Sequence, residues 1–116
     1  ADGGRIQEAT IRDSVIGLRS IIGARVTIQR TVVMGADFYE TEKDKEENRR
    51  LGRPDIGMGS GTVVEGAIID KNARIGQQVI IRHFPDREDA EHENWISREG
   101  IVIIPKNAIV PDGTII

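Results

Sequence analysis

Two lysines occupy equivalent positions in a repeated six-residue unit and could together bind an anion. Lys71 is the third residue of the unit that begins at Ile69, and Lys106 is the third residue of the unit that begins at Ile104. Two ammonium groups held side by side repel each other unless a negative charge lies between them. A phosphate group would turn that repulsion into charge-assisted hydrogen bonds. The pair therefore predicts a phosphate-binding site if the fold brings the two lysines together.

Arg30 is a third, weaker candidate for the same site. It is also third in its unit, which begins at Ile28, and we expect it one coil further along the same face. Two alternatives stay open for the lysines: they simply face solvent, or they pair with Asp70, Asp112 or a neighbouring glutamate.

The elements that would position these side chains are the repeated units themselves. An aliphatic residue opens each unit and a small or aliphatic one stands at position five in residues 16–27, 69–80 and 104–115. A fixed period of six is typical of a parallel β-helix, in which three units form one triangular coil and the aliphatic residues fill its shaft. An antiparallel β-sandwich would instead show alternation and hairpin turns. One coil and one excursion separate the two lysines, which places them about 5 Å apart along the axis.

Two charged excursions interrupt the period, at residues 37–55 and about 82–99. The first carries mixed charge, and we expect one or two helical turns that end near Gly52 and Pro54. Phe38 and Tyr39 stand at its root and are either exposed or part of a contact surface. The second is acidic and holds both histidines and the only tryptophan. The fold prediction is an all-β, single-stranded parallel β-helix over residues 1–116 with two charged loop excursions.

Composition narrows the function classes. The chain lacks cysteine, so it has neither a disulfide framework nor a thiolate metal site, and no spaced ligand set predicts another metal. A net charge of −3 without a basic excess argues against nucleic acid as a partner, and no apolar run is long enough for a membrane span. No signal peptide is recognisable, so we expect a cytoplasmic location. The repeat runs from Ile6 to Ile116 without a polar cap, which suggests a piece of a longer protein or ends covered by a partner.

Five segments resemble the C-terminal left-handed β-helix domain of ADP-glucose pyrophosphorylase (glucose-1-phosphate adenylyltransferase): residues 14–20, 34–41, 54–59, 67–76 and 99–102. The most specific motifs are Met-Gly-Ala-Asp at 34–37 and Ile-Asp-Lys-Asn-Ala-Arg-Ile-Gly at 69–76. The resemblance implies a left-handed coil that regulates and oligomerises a parent enzyme. That enzyme makes ADP-glucose from ATP and glucose 1-phosphate with Mg²⁺, for glycogen or starch synthesis.

The resemblance also implies what this chain does and lacks. We expect the N-terminal catalytic domain to be absent from this chain, and therefore no catalytic residue, no cofactor and no activity in the fragment. The fragment would be a homo-oligomer, and plastidic if from a plant. In plant and cyanobacterial members two lysines bind the activator 3-phosphoglycerate, and they correspond to Lys71 and Lys106. The expected partners are thus the missing catalytic domain and a phosphorylated sugar or glycerate. Residues 83–87 and Pro105 differ from the family pattern and leave the effector open.

Other functions built on the same repeat remain as alternatives. A stand-alone hexapeptide acyltransferase would use a histidine as general base, and His83 or His92 would be the candidates. A zinc carbonic anhydrase of this fold needs three histidines, and the chain has two. A β-helix scaffold that stacks into larger assemblies needs no site at all.

Overall fold

Short strands dominate the chain in the computed structural model, which describes residues 5–6, 9–84, 86 and 88–116. These residues form fifteen strands and one helix. In chain order they are β1 (Arg5–Ile6), β2 (Thr10–Arg12), β3 (Val15–Ile16), β4 (Ile21–Ile22), β5 (Thr27–Gln29), β6 (Val32–Val33), α1 (Glu42–Leu51), β7 (Gly57–Met58), β8 (Val63–Glu65), β9 (Ala67–Ile69), β10 (Arg74–Ile75), β11 (Ile80–Ile81), β12 (Ala90–Glu91), β13 (Ile96–Arg98), β14 (Ile101–Ile104) and β15 (Ile109–Val110).

The strands stack into three sheets, one for each side of a triangular coil. Sheet 1 has the order β1-β4-β7-β10-β15, sheet 2 has β2-β5-β8-β11, and sheet 3 has β3-β6-β9-β14-β13-β12. Successive coils pair in parallel, as Val33 does with Ile69 and Ile69 with Ile104. The parallel β-helix expected from the six-residue period is therefore confirmed.

The core is the apolar shaft that the period predicts. The residues that open the units at Ile69, Ile75, Ile104 and Val110 are each at most 3% exposed. The position-five residues Ala73, Val79 and Ala108 are buried as well. Stacking closes the shaft because each coil offers only one layer of aliphatic side chains and must bury it against its neighbours.

The corners of the coil depend on residues in the left-handed backbone region. The fourth residue of several units has positive φ, including Asn72 at 60° and Asn107 at 63°. Asparagine tolerates this conformation better than most residues with a side chain, because its short polar group can hydrogen-bond locally. The Asn107 N–H donates to the Lys71 carbonyl at 3.1 Å, so the two corners lie in register. Lys71 and Lys106 each precede one of these asparagines, so the two lysines project from adjacent coils at the same corner.

The first excursion contains a longer helix than the sequence predicts. Helix α1 has ten residues and begins after a capping box in which Thr41 and Asp44 satisfy each other's backbone N–H groups. It ends at Gly52, which adopts the left-handed conformation. The i,i+4 spacing would pair Arg50 with Glu46, but Arg50 pairs with Glu47, three residues before it.

The second excursion is not a loop throughout. Strands β12 and β13 form an antiparallel hairpin, and β13 pairs antiparallel with β14, so the excursion widens sheet 3. Ile96 pairs with Ile103 and Ser97 with Val102. Within the described residues, no helix has the length and apolar character that crossing a membrane requires.

Candidate functional site

The two lysines are neighbours at the corner between sheets 3 and 1. Ile69 pairs with Ile104, and each lysine follows two residues later in its own coil. Both ammonium groups point at the same carboxylate: Lys71 Nζ lies 3.3 Å from Asp37 Oδ1, and Lys106 Nζ lies 3.6 Å from Asp37 Oδ2. The side chains are about half exposed, so a dissolved anion can reach them. We refer to Lys71 and Lys106 as the lysine pair.

Asp37 is the residue that the sequence argument missed. The pairings considered for the lysines were with Asp70, Asp112 or a glutamate, but Asp70 accepts from the Lys71 backbone N–H at 2.7 Å and Asp112 from the Gln77 N–H at 2.8 Å. The feature that points to Asp37 is the corner one coil before Lys71, where the first excursion begins. The Asn72 N–H donates to the Gly35 carbonyl at 3.1 Å, so the chain departs into the first excursion from the corner that Lys71 occupies in the next coil.

Asn72 holds Asp37 in place between the lysines. Its side-chain oxygen accepts from the Asp37 N–H at 2.9 Å, and its side-chain nitrogen donates to Asp37 Oδ2 at 3.1 Å. The hydrogen bond from Asn72, followed by that from Lys71, lowers the pKa of the Asp37 carboxyl below its ordinary value. Asp37 is therefore a carboxylate at neutral pH, and it neutralises part of the charge on the lysine pair.

Arg30 does not join the lysine pair, so that prediction is wrong. Arg30 follows β5 and lies at the corner between sheets 2 and 3, where its Nη2 is 2.9 Å from Glu65 Oε1. The residue that pairs with Ile69 is Val33, not Ile28. Arg30 thus shares the third position of a unit with Lys71 but stands one side of the triangle earlier.

A buried polar cluster ties the first excursion to the coil. Arg74 Nη1 donates to Glu40 Oε2 at 2.9 Å, to Asn48 Oδ1 at 3.0 Å and to the Pro54 carbonyl at 3.1 Å. The Glu40 side chain is 4% exposed and Asn48 is fully buried. This cluster, which we call the Arg74 anchor (Glu40, Asn48, Pro54 and Arg74), was not predicted. Arg74 belongs to the motif at 69–76, but nothing in its spacing identifies its partners.

Glu40 carries its charge in this buried setting because it is well hydrogen-bonded. Burial by itself raises the pKa of Glu40, but hydrogen bonds from Asn48, from the Ile56 N–H and from Arg74 outweigh burial and lower the pKa overall. The Asn48 amide nitrogen lies 2.6 Å from Glu40 Oε2, and the Ile56 N–H donates to Glu40 Oε1 at 2.5 Å. The four residues 37–40 therefore connect the lysine pair to the Arg74 anchor.

The aromatic residues of this segment remain on the surface. Phe38 is 48% exposed and Tyr39 is 43% exposed. They line a groove together with Arg19, Lys45 and Ile56. The Arg19 side chain also donates to the Ala36 carbonyl at 2.9 Å, which holds the start of the segment against the coil.

The two histidines, which were candidates for a general base, have structural contacts. The His92 ring stacks on the Trp95 ring with centroids 4.0 Å apart, and the His92 backbone N–H donates to the Trp95 carbonyl at 2.8 Å. His83 packs against Gly66, where a Cβ atom would come within 2.5 Å of the His83 side chain.

Comparison with known protein families yields one match over almost the whole chain. Residues 1–115 match the model of the GLGC left-handed parallel beta-helix domain. The match agrees with the parallel pairing of successive coils in the three sheets and assigns the left hand to the coil.

Proposed function

The chain belongs to the GLGC left-handed parallel β-helix family, that of the C-terminal domain of ADP-glucose pyrophosphorylase, and from this premise we propose that it regulates and assembles a glucose-1-phosphate adenylyltransferase. In this proposal, nucleotidyl transfer with ATP and Mg²⁺ belongs to the catalytic domain of the parent enzyme. This chain supplies an effector site and an oligomerisation element, and the parent works in the cytoplasm or in a plastid.

The effector we propose is a phosphorylated sugar or glycerate bound at the lysine pair. The observation that supports it is the convergence of two ammonium groups from adjacent coils on a single carboxylate. A phosphate monoester carries about −1.5 to −2 charges at neutral pH and three acceptor oxygens, so it suits two lysine donors better than one carboxylate does. The backbone at this corner is hydrogen-bonded to the neighbouring coils. The aliphatic stems of the two lysines therefore stay close together.

Titration with candidate effectors tests the proposal. We expect 3-phosphoglycerate or fructose 1,6-bisphosphate to shift the amide NMR resonances around the lysine pair, with weak affinity because the catalytic domain is expected to contribute further cationic groups. Lys71→Ala and Lys106→Ala should each abolish the shifts. Lys43→Ala is the matched control, since Lys43 is an exposed lysine on α1 and should leave binding unchanged. Binding that survives both lysine substitutions would contradict the proposal.

A further inference from the structure

We propose that Asp37 is a built-in competitor of the effector: its carboxylate occupies the place of the phosphate between Lys71 and Lys106, and an effector must displace it to bind. The inference rests on the proposed function, because it concerns how the same lysine pair is regulated. It adds a residue that sets the affinity of the site and a local rearrangement that accompanies binding.

The geometry of Asp37 is that of a bound anion. Each carboxylate oxygen faces a different ammonium group, at 3.3 Å from Lys71 and 3.6 Å from Lys106, which is the bridging arrangement that a phosphate would adopt. The lysines come from successive coils and approach the carboxylate from the stacked corner. An anion that takes this bridging place between the two ammonium groups must displace the Asp37 carboxylate.

Asp37 is also able to leave. Its side chain is 42% exposed, and its contacts with the lysines are longer than those of a tight charge-assisted hydrogen bond. On leaving, the carboxylate also gives up the 3.1 Å hydrogen bond from the Asn72 amide nitrogen, while the Asp37 N–H can keep its bond to the Asn72 amide oxygen. Exposed ion pairs of this kind are weak. A phosphate with nearly twice the charge of a carboxylate can therefore compete for the two lysines.

The rearrangement stops at the Arg74 anchor. Glu40 is held by Arg74, Asn48 and the Ile56 N–H, so residues beyond it are fixed to the coil. A backbone shift that accompanies displacement of Asp37 is therefore confined to residues 37–39, and it would reach the exposed side chains of Phe38 and Tyr39.

Inorganic phosphate provides the probe for a test on the full chain. Asp37→Asn keeps the shape of the side chain and removes its charge, and we expect about three- to tenfold tighter phosphate binding, the range implied by the loss of two weak exposed ion pairs. Asp37→Ala, which removes the group altogether, should do the same. Glu65→Gln is the matched control, because it also removes a carboxylate from an exposed cross-coil ion pair, 2.9 Å from Arg30, but at another corner. It should change the Kd by less than about twofold.

NMR of the unsubstituted chain gives a second readout. Saturating phosphate should shift the Asp37 amide, which donates to Asn72, and the ring resonances of Phe38 and Tyr39, while the Glu40 amide stays in place. An unmoved Asp37 amide at saturation would overturn the inference, as would tightening by Glu65→Gln equal to that of Asp37→Asn.

The two proposals fail in different ways. If the unsubstituted chain binds phosphate and loses binding on Lys71→Ala or Lys106→Ala, but Asp37→Asn binds no tighter, Asp37 is no competitor and the effector site stands. If neither the unsubstituted chain nor Asp37→Asn binds phosphate, both proposals are overturned.

Discussion

Replacing Arg74 by alanine should release the first excursion from the coil. Arg74 lies on sheet 1, and its Nη1 makes three hydrogen bonds that reach residues before, within and after α1. Alanine removes all three and leaves the Glu40 carboxylate without its cationic partner. The coil itself should persist, because the Arg74 side chain points away from the apolar shaft that holds the coils together.

The expected cost follows from burial. The side chains of Arg74 and Glu40 are 14% and 4% exposed, so this ion pair is shielded from solvent, unlike the Arg30–Glu65 pair and the two pairs of Asp37. Breaking a buried pair by removing one partner typically costs about 3–5 kcal/mol, because an uncompensated charge stays behind. Helix α1 has ten residues and is too short to be stable alone in water. A loss of this size should therefore unfold α1 locally, since the helix depends on its docking.

Hydrogen exchange with far-UV circular dichroism can separate local from global unfolding. In Arg74→Ala the amides of residues 42–51 should exchange freely, and the helical signal should fall, while the shaft amides near Ile69 and Ile75 stay protected. Arg50→Ala is the control: Arg50 pairs with Glu47 on the exposed face of α1 and should have little effect.

The pH dependence of the anchor has a definite sign. Because the pKa of Glu40 is lower in the folded chain than its ordinary value of 4.5, the anchor is at full strength above that value and weakens as the pH falls through the lowered pKa. Exchange of the α1 amides should therefore accelerate in acid below pH 4.5. Protected α1 amides in Arg74→Ala, or exchange that is independent of pH in this range after correction for intrinsic rates, would show that the Arg74 anchor does not hold α1.

Substitutions at two further positions, Asn72 and Gly59, test the corners of the coil. Asn72→Ala should lower the free energy of unfolding by about 1–2 kcal/mol, measured by urea denaturation, because alanine is strained at a φ of 60°. The same substitution should also release Asp37, whose N–H is bound to the Asn72 side chain. Asn72→Gly should relieve the backbone strain but still release Asp37. Gly59→Ala should destabilise the chain clearly in the same assay, since a Cβ there would meet the Gln77 nitrogen at 2.6 Å, whereas Gly52→Ala meets no atom within 4 Å and bears only the strain of its φ of 71°. Equal stability of Asn72→Ala and the unsubstituted chain, or of Gly59→Ala and Gly52→Ala, would contradict this account.

The six-residue pattern alone predicts the coil and the place of the lysine pair. An inward aliphatic residue every six positions can be buried only by stacking, and counting units from Ile69 to Ile104 sets Lys71 beside Lys106. These relations are local or strictly periodic, so the pattern of residues along the chain predicts them. The same counting of units places Arg30 at the wrong corner. The step from Ile28 to Val33 has five residues rather than six, and the pattern does not show the length of the first excursion.

The contacts of the lysines and the anchor of the excursion depend on tertiary packing, which the pattern does not show. Asp37 meets Lys71 and Lys106 because the chain leaves the coil one layer before Lys71, at the same corner. Glu40 meets Arg74 because α1 folds back over sheet 1. Such pairs join residues far apart in the chain, at separations that are not multiples of the six-residue unit, so their choice depends on how the excursion packs against the finished coil.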